Sequence, residues 1–175
     1  MKAVYYILGI ICIGCWCMWS CEKSSSYSDV PEIRFEQLVV RSEADGKKTI
    51  LTFSFIDGNG DIGVRNHESS DTVSRIYCTW QRKLSDEVYE DFEFGNGKIV
   101  QSSEIPYNDK MDRDQAQNKL LKGKIEISLT PPLASAAKAD SFRIEFYIID
   151  RALNQSNTDN TPNFKLSDEY TEITK

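Results

Sequence analysis

Histidine is almost missing from this chain: among 175 residues, His67 is the only one. A single imidazole gives little support to a Ser-His-Asp triad, and no serine stands in a Gly-x-Ser-x-Gly turn. Cysteine is nearly as scarce over most of the length. Cys12, Cys15, Cys17 and Cys21 fall within the first 21 residues, which leaves Cys78 alone beyond them. A lone cysteine makes no internal disulfide, and one Cys with one His cannot complete the usual zinc ligand set. Cys78 lies between Ile76 and Trp80 on an alternating pattern and reads as a buried, inert side chain. Phosphate cradles are also absent: no Gly-x-x-x-x-Gly-Lys run occurs, and no Gly-x-Gly-x-x-Gly stands between a strand and a helix. Positive charge is in the minority, with 21 Lys+Arg against 27 Asp+Glu, a formal charge of -6 and a pI near 4.9. That balance excludes a broad basic surface for nucleic acid.

What is present describes a globular protein with one core: 40% hydrophobic, 27% charged and 11% aromatic residues. The N-terminus carries one cation, Lys2, followed by an uncharged run from Ala3 to Trp19. The run ends at Ser20-Cys21, after which Glu22, Lys23 and three serines follow. A positive start, an apolar stretch and a polar switch are the order of a secretion signal. With a small residue before the cysteine, the arrangement resembles a bacterial lipoprotein signal. The resemblance implies cleavage after Ser20 and lipidation of Cys21, with acyl chains holding the protein to a membrane. Gly14-Cys15 is a second candidate cleavage point, and an uncleaved anchor is the competing reading of the same stretch. Either way the remainder is expected outside the cytoplasm. Removal of residues 1–20, which hold only Lys2, leaves 155 residues with a net charge of -7. Residues 21–30 read as a Ser-rich flexible tether, and residues 31–175 as the folded domain.

Period-two alternation dominates the domain. Runs cover 33–40, 49–56 (Leu51, Phe53, Phe55), 73–83 (Ile76, Cys78, Trp80), 88–94, 123–130 (Ile125, Ile127, Leu129) and 141–149 (Phe142, Ile144, Phe146, Ile148). Ala44-Asp45-Gly46 and Gly95-Asn96-Gly97 supply turn chemistry between runs. Only 112–121 and 133–139 read as short helices, the second following Pro131-Pro132. About seven strands without long helices predict an all-β fold: a two-sheet antiparallel β-sandwich, immunoglobulin-like, with a jelly roll as the competitor. If 49–56 and 73–83 are strands B and C, Trp80 stands on the strand that bears the core tryptophan of antibody domains, although their B to F disulfide is absent.

Two polar loops follow apolar strands. Asp57-Gly58-Asn59-Gly60-Asp61-Ile62-Gly63 places oxygen side chains at alternate positions among glycines, as a hard cation such as Ca²⁺ requires. It is not an EF-hand, because Ile62 stands where that loop needs glycine, although Glu68 falls at its twelfth position. The second loop, Asp150-Arg151-Ala152-Leu153-Asn154-Gln155-Ser156-Asn157, resembles the Asp-x-x-x-Asn-x-Ser loop of secreted bacterial immunoglobulin-like modules. On strands B and F the two loops leave at one end of the sandwich and are predicted to meet. Asp57, Asn59, Asp61 and Asp150 then form an acidic cluster. It is either bound to Ca²⁺ or neutralised by Arg151 and glycine amides, with Gly58, Gly60, Gly63, Arg151, Asn154 and Asn157 shaping the loops.

The lipoprotein-like start, Pro31-Glu32-Ile33, the Asp57 to Gly63 motif, and Asp150-Arg151 with Ser156-Asn157 are similar to a group of uncharacterised Bacteroidetes lipoproteins. The resemblance implies location and fold and brings no activity. The expected role is a non-catalytic binding or scaffolding module on the cell envelope, lipid-anchored at the outer membrane on its periplasmic or surface face. A carbohydrate-binding module of a glycan-uptake system is the alternative, with Tyr77, Tyr89, Tyr107 and Trp80 as stacking faces. A glycoside-acting enzyme using carboxylates from the run Asp86, Glu87, Glu90, Asp91 and Glu93 ranks last, since such runs are usually solvated strand faces.

Overall fold

The computed structural model describes residues 27–44, 46–64, 74–94, 97–98, 100–106, 120–132 and 141–175. Alternation turns into strands wherever an apolar residue recurs at every second position. The described residues form β1 (Glu32–Glu43), β2 (Gly46–Asp57), β3 (Arg75–Ser85), β4 (Val88–Asp91), β5 (Glu93–Phe94) and β6 (Gly97–Lys98). They continue with β7 (Val100–Glu104), β8 (Leu121–Leu129), β9 (Ser141–Ile149), β10 (Asp159–Asn160), β11 (Phe164–Lys165) and β12 (Tyr170–Thr174). One sheet runs β12-β1-β2-β8; the other runs β10-β9-β3-β4, with β11 also on β9 and β7 also on β3. All of these pairings are antiparallel. β1, β2 and β8 thus take the places of immunoglobulin strands A, B and E, and β3, β9 and β10 those of C, F and G. This order, rather than that of a jelly roll, is the one adopted.

The inward faces meet in a single core. Leu51, Phe53 and Phe55 of β2 oppose Phe142, Ile144, Phe146 and Ile148 of β9, and the Phe53 and Phe146 rings touch across the gap at 5.2 Å between centroids. Trp80 is fully buried and meets Phe142 and Phe164 edge-on. Cys78 is buried beside it, and loss of water pushes its thiol pKa up to about 12, so it is chemically inert.

Sequence and structure part company in several places. Alternation in β1 changes phase: Ile33 and Phe35 point inward, then Leu38 and Val40 do, because a bulge interrupts the register between Phe35 and Gln37. The run at 88–94 is broken at Phe92, whose ring enters the core against Phe142, leaving β4 and β5 as separate strands. β6, β7, β10, β11 and β12 fall outside the alternating runs. The two expected helices lie outside the described residues, except that Leu121 opens β8 instead of closing a helix. Residues 27–30, expected to be free tether, lie on the body: the Gly58 amide donates to the Ser28 carbonyl at 2.9 Å.

Candidate metal centre

Strand parity sets this site. The inward positions of β2 are Thr49, Leu51, Phe53 and Phe55, and the next is Asp57. Those of β9 are Phe142, Ile144, Phe146 and Ile148, and the next is Asp150. Both aspartates are therefore core positions occupied by carboxylates, and both are fully buried. β2 and β9 belong to opposite sheets and end at the same edge of the sandwich, so the predicted meeting of the two loops occurs.

The loop after β2 then brings in a third acid. Gly60 takes a left-handed φ of 69°, which returns the chain so that the Asp61 amide donates to Asp57 Oδ2 at 2.9 Å and to Asn59 Oδ1 at 3.3 Å. Ile62, the residue that breaks the EF-hand pattern, is fully buried and pins the loop to the core. Asp57, Asp61 and Asp150 each offer a carboxylate oxygen, and these atoms lie within 4.8 Å of one another. Asn59 stands within the same loop, with its side-chain oxygen accepting the Asp61 amide at 3.3 Å.

The second loop closes against the first. Asp150 accepts the Asn154 amide on Oδ1 at 2.7 Å and the Asn154 side-chain amide on Oδ2 at 2.9 Å. The Arg151 amide donates to the Asp61 carbonyl at 3.3 Å, and its guanidinium donates to the Gly63 carbonyl at 3.4 Å. Ser156 and Asn157 complete the motif. The Ser156 hydroxyl accepts the Ile148 amide at 3.0 Å, while Asn157 receives the Ile33 amide at 2.8 Å and donates to the Ile33 carbonyl at 3.0 Å. Gly58 serves the tether, since a Cβ there would lie 2.4 Å from the Ser28 carbonyl oxygen.

Electrostatically the cluster is incomplete. Burial, then the charge of Asp61, push the Asp57 carboxyl up to about 7. Burial and Asp150 raise Asp61, and Arg151 works in the opposite direction. Asp57 Oδ1 and Asp61 Oδ1 are buried with no hydrogen-bond donor, a costly condition for a carboxylate. With all three carboxylates ionised, they and the Arg151 guanidinium would carry a net charge of -2, which one divalent cation cancels. The donors are all oxygen, which suits Ca²⁺ and not a thiolate- or imidazole-seeking metal. Such an ion would be held by Asp57, Asp61 and Asp150.

The remaining candidates are placed as follows. Trp80 is in the core, Tyr77 stacks on Tyr147 at 5.1 Å, and the Arg143 guanidinium lies 3.5 Å over the Tyr89 ring. Each of these tyrosines thus has one ring face covered by a neighbour. In the acidic run, Asp86 pairs with Lys83 at 2.9 Å, Glu90 pairs with Arg82, and Asp91 accepts from Gln81 at 3.0 Å. Cys21, His67, Glu68 and Tyr107 lie outside the described residues. Sequence reading missed Asp159, which accepts the Phe35 amide at 2.7 Å. The signal was the spacing Asn157-x-Asp159, which puts both side chains on one side of an extended segment.

No family model matches the chain, and no curated protein matches it. Two solved structures of OgpA from Akkermansia muciniphila are similar to it. The catalytically inactive form in complex with an O-glycopeptide (glycodrosocin) substrate matches at 10% identity over 89% of this chain, with a TM-score of 0.43. The wild-type form matches at 13% identity over 90%, with a TM-score of 0.42. This chain spans about a third of the length of either structure, 34% in both cases. At that level of likeness neither carries a function over.

Proposed function

We propose that this chain is an envelope lipoprotein, tethered through Cys21, whose sandwich is a non-catalytic binding or scaffolding module closed at its tether end by Ca²⁺. The observation that carries the calcium reading is the pair of unpartnered, buried oxygens on Asp57 and Asp61, within reach of Asp150. Carboxylates so placed must take up either a proton or a cation, and at neutral pH millimolar extracellular Ca²⁺ is available. Two of its three carboxylates, Asp57 and Asp150, are fully buried at core positions, which suits fixing the two loops better than acting on a substrate. The lipid anchor is supported by the uncharged run that ends at Ser20-Cys21. The carbohydrate reading draws less support, because Trp80 lies in the core and Tyr77 and Tyr89 each pack one face against a neighbour.

For a dissociation constant of about 0.1 mM, typical of weak extracellular sites, about 1 mM Ca²⁺ stabilises the fold by roughly 1.4 kcal/mol. Calorimetry at neutral pH is expected to give one Ca²⁺ per chain, and calcium is expected to raise the melting temperature above that in EDTA. Asp150→Asn, which keeps the shape of the side chain, is expected to lose both effects. Absence of binding heat, with the same melting temperature in calcium and EDTA, rejects the calcium reading.

A further inference from the structure

We propose that the end of the sandwich bearing Asp57 and Asp150 rests on the lipid bilayer, with Leu153 entering its interface. This rests on the reading of Cys21 as the lipid anchor. The chain leaves the body at this end. β1 starts here, paired with the last residues of β2, and the Ser28 carbonyl is held by the Gly58 amide. Tyr27 is fixed by Lys122, whose ammonium lies 4.5 Å over the ring and 3.1 Å from the phenol oxygen. Tyr27 stands six positions after Cys21. An extended chain advances no more than about 3.6 Å per residue, so this end lies within roughly 20 Å of the acylated cysteine. The opposite end, where β3 turns into β4, is farther by the 11 residues of β3, roughly 35 Å.

The side chains at the near end have interfacial character. Leu153 is 66% exposed and holds a left-handed φ of 68°, a conformation that favours glycine or asparagine and rarely suits leucine. The turn that imposes it is firm: the Leu153 amide donates to the Asp150 carbonyl at 3.2 Å, and the next amide is held by the Asp150 side chain. An apolar side chain is thus presented to the outside by a strained turn without packing in the body, a cost that contact with lipid offsets. Tyr27 and Val30, 40% and 44% exposed, stand at the same end. Tyr27 with Lys122 is the amphipathic pairing that headgroup regions favour. Asp57 and Asp150 are buried away from headgroups, and the exposed acids at this end, Asp29 and Glu32, are accompanied by the cations Lys122 and Arg34. Weak contact suffices, because the anchor makes the encounter intramolecular.

The test uses the full acylated chain reconstituted into phosphatidylethanolamine and phosphatidylglycerol vesicles, with and without lipids brominated in their acyl chains. Leu153→Trp and Leu84→Trp report from the two ends; Leu84 is 54% exposed on the far hairpin, and the buried Trp80 is a common background. Brominated lipid is expected to quench the Leu153→Trp emission about two-fold or more and to leave Leu84→Trp unchanged. Val30→Trp reports from the near end without touching the Asp150 turn, and the same quenching is expected. Equal, negligible quenching at all three positions, in protein whose mass confirms acyl chains on Cys21, overturns the seating alone. A mature chain with no acyl group on Cys21 overturns the anchor, and the seating with it.

Discussion

Asp57 and Asp150 are core positions by parity, and their chemistry follows from that placement. Counting alternate residues along the two strands reaches both aspartates, so the cluster was legible in the sequence down to its main members. The loop's internal hydrogen bonds were not: they depend on the left-handed turn at Gly60, which sends the Asp61 amide back onto Asn59 and Asp57. Spacing along a loop does not fix such a reversal. The raised Asp57 carboxyl gives a signed prediction. Its pKa is about 7 in the folded chain against 3.8 for the ordinary group, so the metal-free folded state keeps a proton that the unfolded state has released. Stability is therefore greatest below the ordinary value and falls as pH rises through about 7, by at most about 1.4 kcal/mol per pH unit. In EDTA, melting temperatures are expected to decline from about pH 4.5 to pH 7.5. Asp57→Asn is expected to remove most of that decline, with the raised Asp61 carboxyl accounting for the remainder. Saturating Ca²⁺ is expected to flatten the profile near neutrality, because the ion takes the place of the proton. A metal-free melting temperature that instead climbs across this range contradicts the assignment.

At the scale of the element, β1 is the strand that most needs support, because its outer side would otherwise lie open. β12 covers Gln37 to Arg41, the Lys175 amide donates to the Glu36 carbonyl at 3.0 Å, and the side chains of Asn157 and Asp159 meet the backbone of Ile33 and Phe35. β1 is thereby an interior strand, and the five-residue, mostly exposed β12 is the edge of this sheet. The phase change from Ile33 and Phe35 to Leu38 and Val40 went unread within the run 33–40, because a bulge shows only once β1 is set in register against β2. β10 and β11, at two residues each, are too short for any period to register, and β12 buries little of its length. Their places depend on partners already in the sheets. Asn157 carries the clearest test: Asn157→Ala leaves two groups of Ile33 without partners and is expected to cost about 2 kcal/mol, read from urea unfolding. A loss below about 0.5 kcal/mol would show that the Ile33 groups find other partners.

Taken whole, the molecule is polar in organisation. The hairpins at Glu43 to Gly46 and Ser85 to Val88 form one end, and the chain's exit, the acidic cluster and Leu153 form the other. The fold class was legible because inward alternation and turn residues agreed. What the end loops hold was not, because a carboxylate trio with two fully buried members serves equally as a hydrogen-bonded turn or as a cation cage until its oxygens are accounted for. Two of those oxygens, on Asp57 and Asp61, lack donors, which favours the cage. The direct measurement is a crystal structure grown in millimolar calcium at neutral pH. One ion is expected between the loops, about 2.3–2.6 Å from oxygens of Asp57, Asp61 and Asp150. Well-ordered carboxyls joined by a shared proton, with only water or Arg151 between the loops, would contradict the cage.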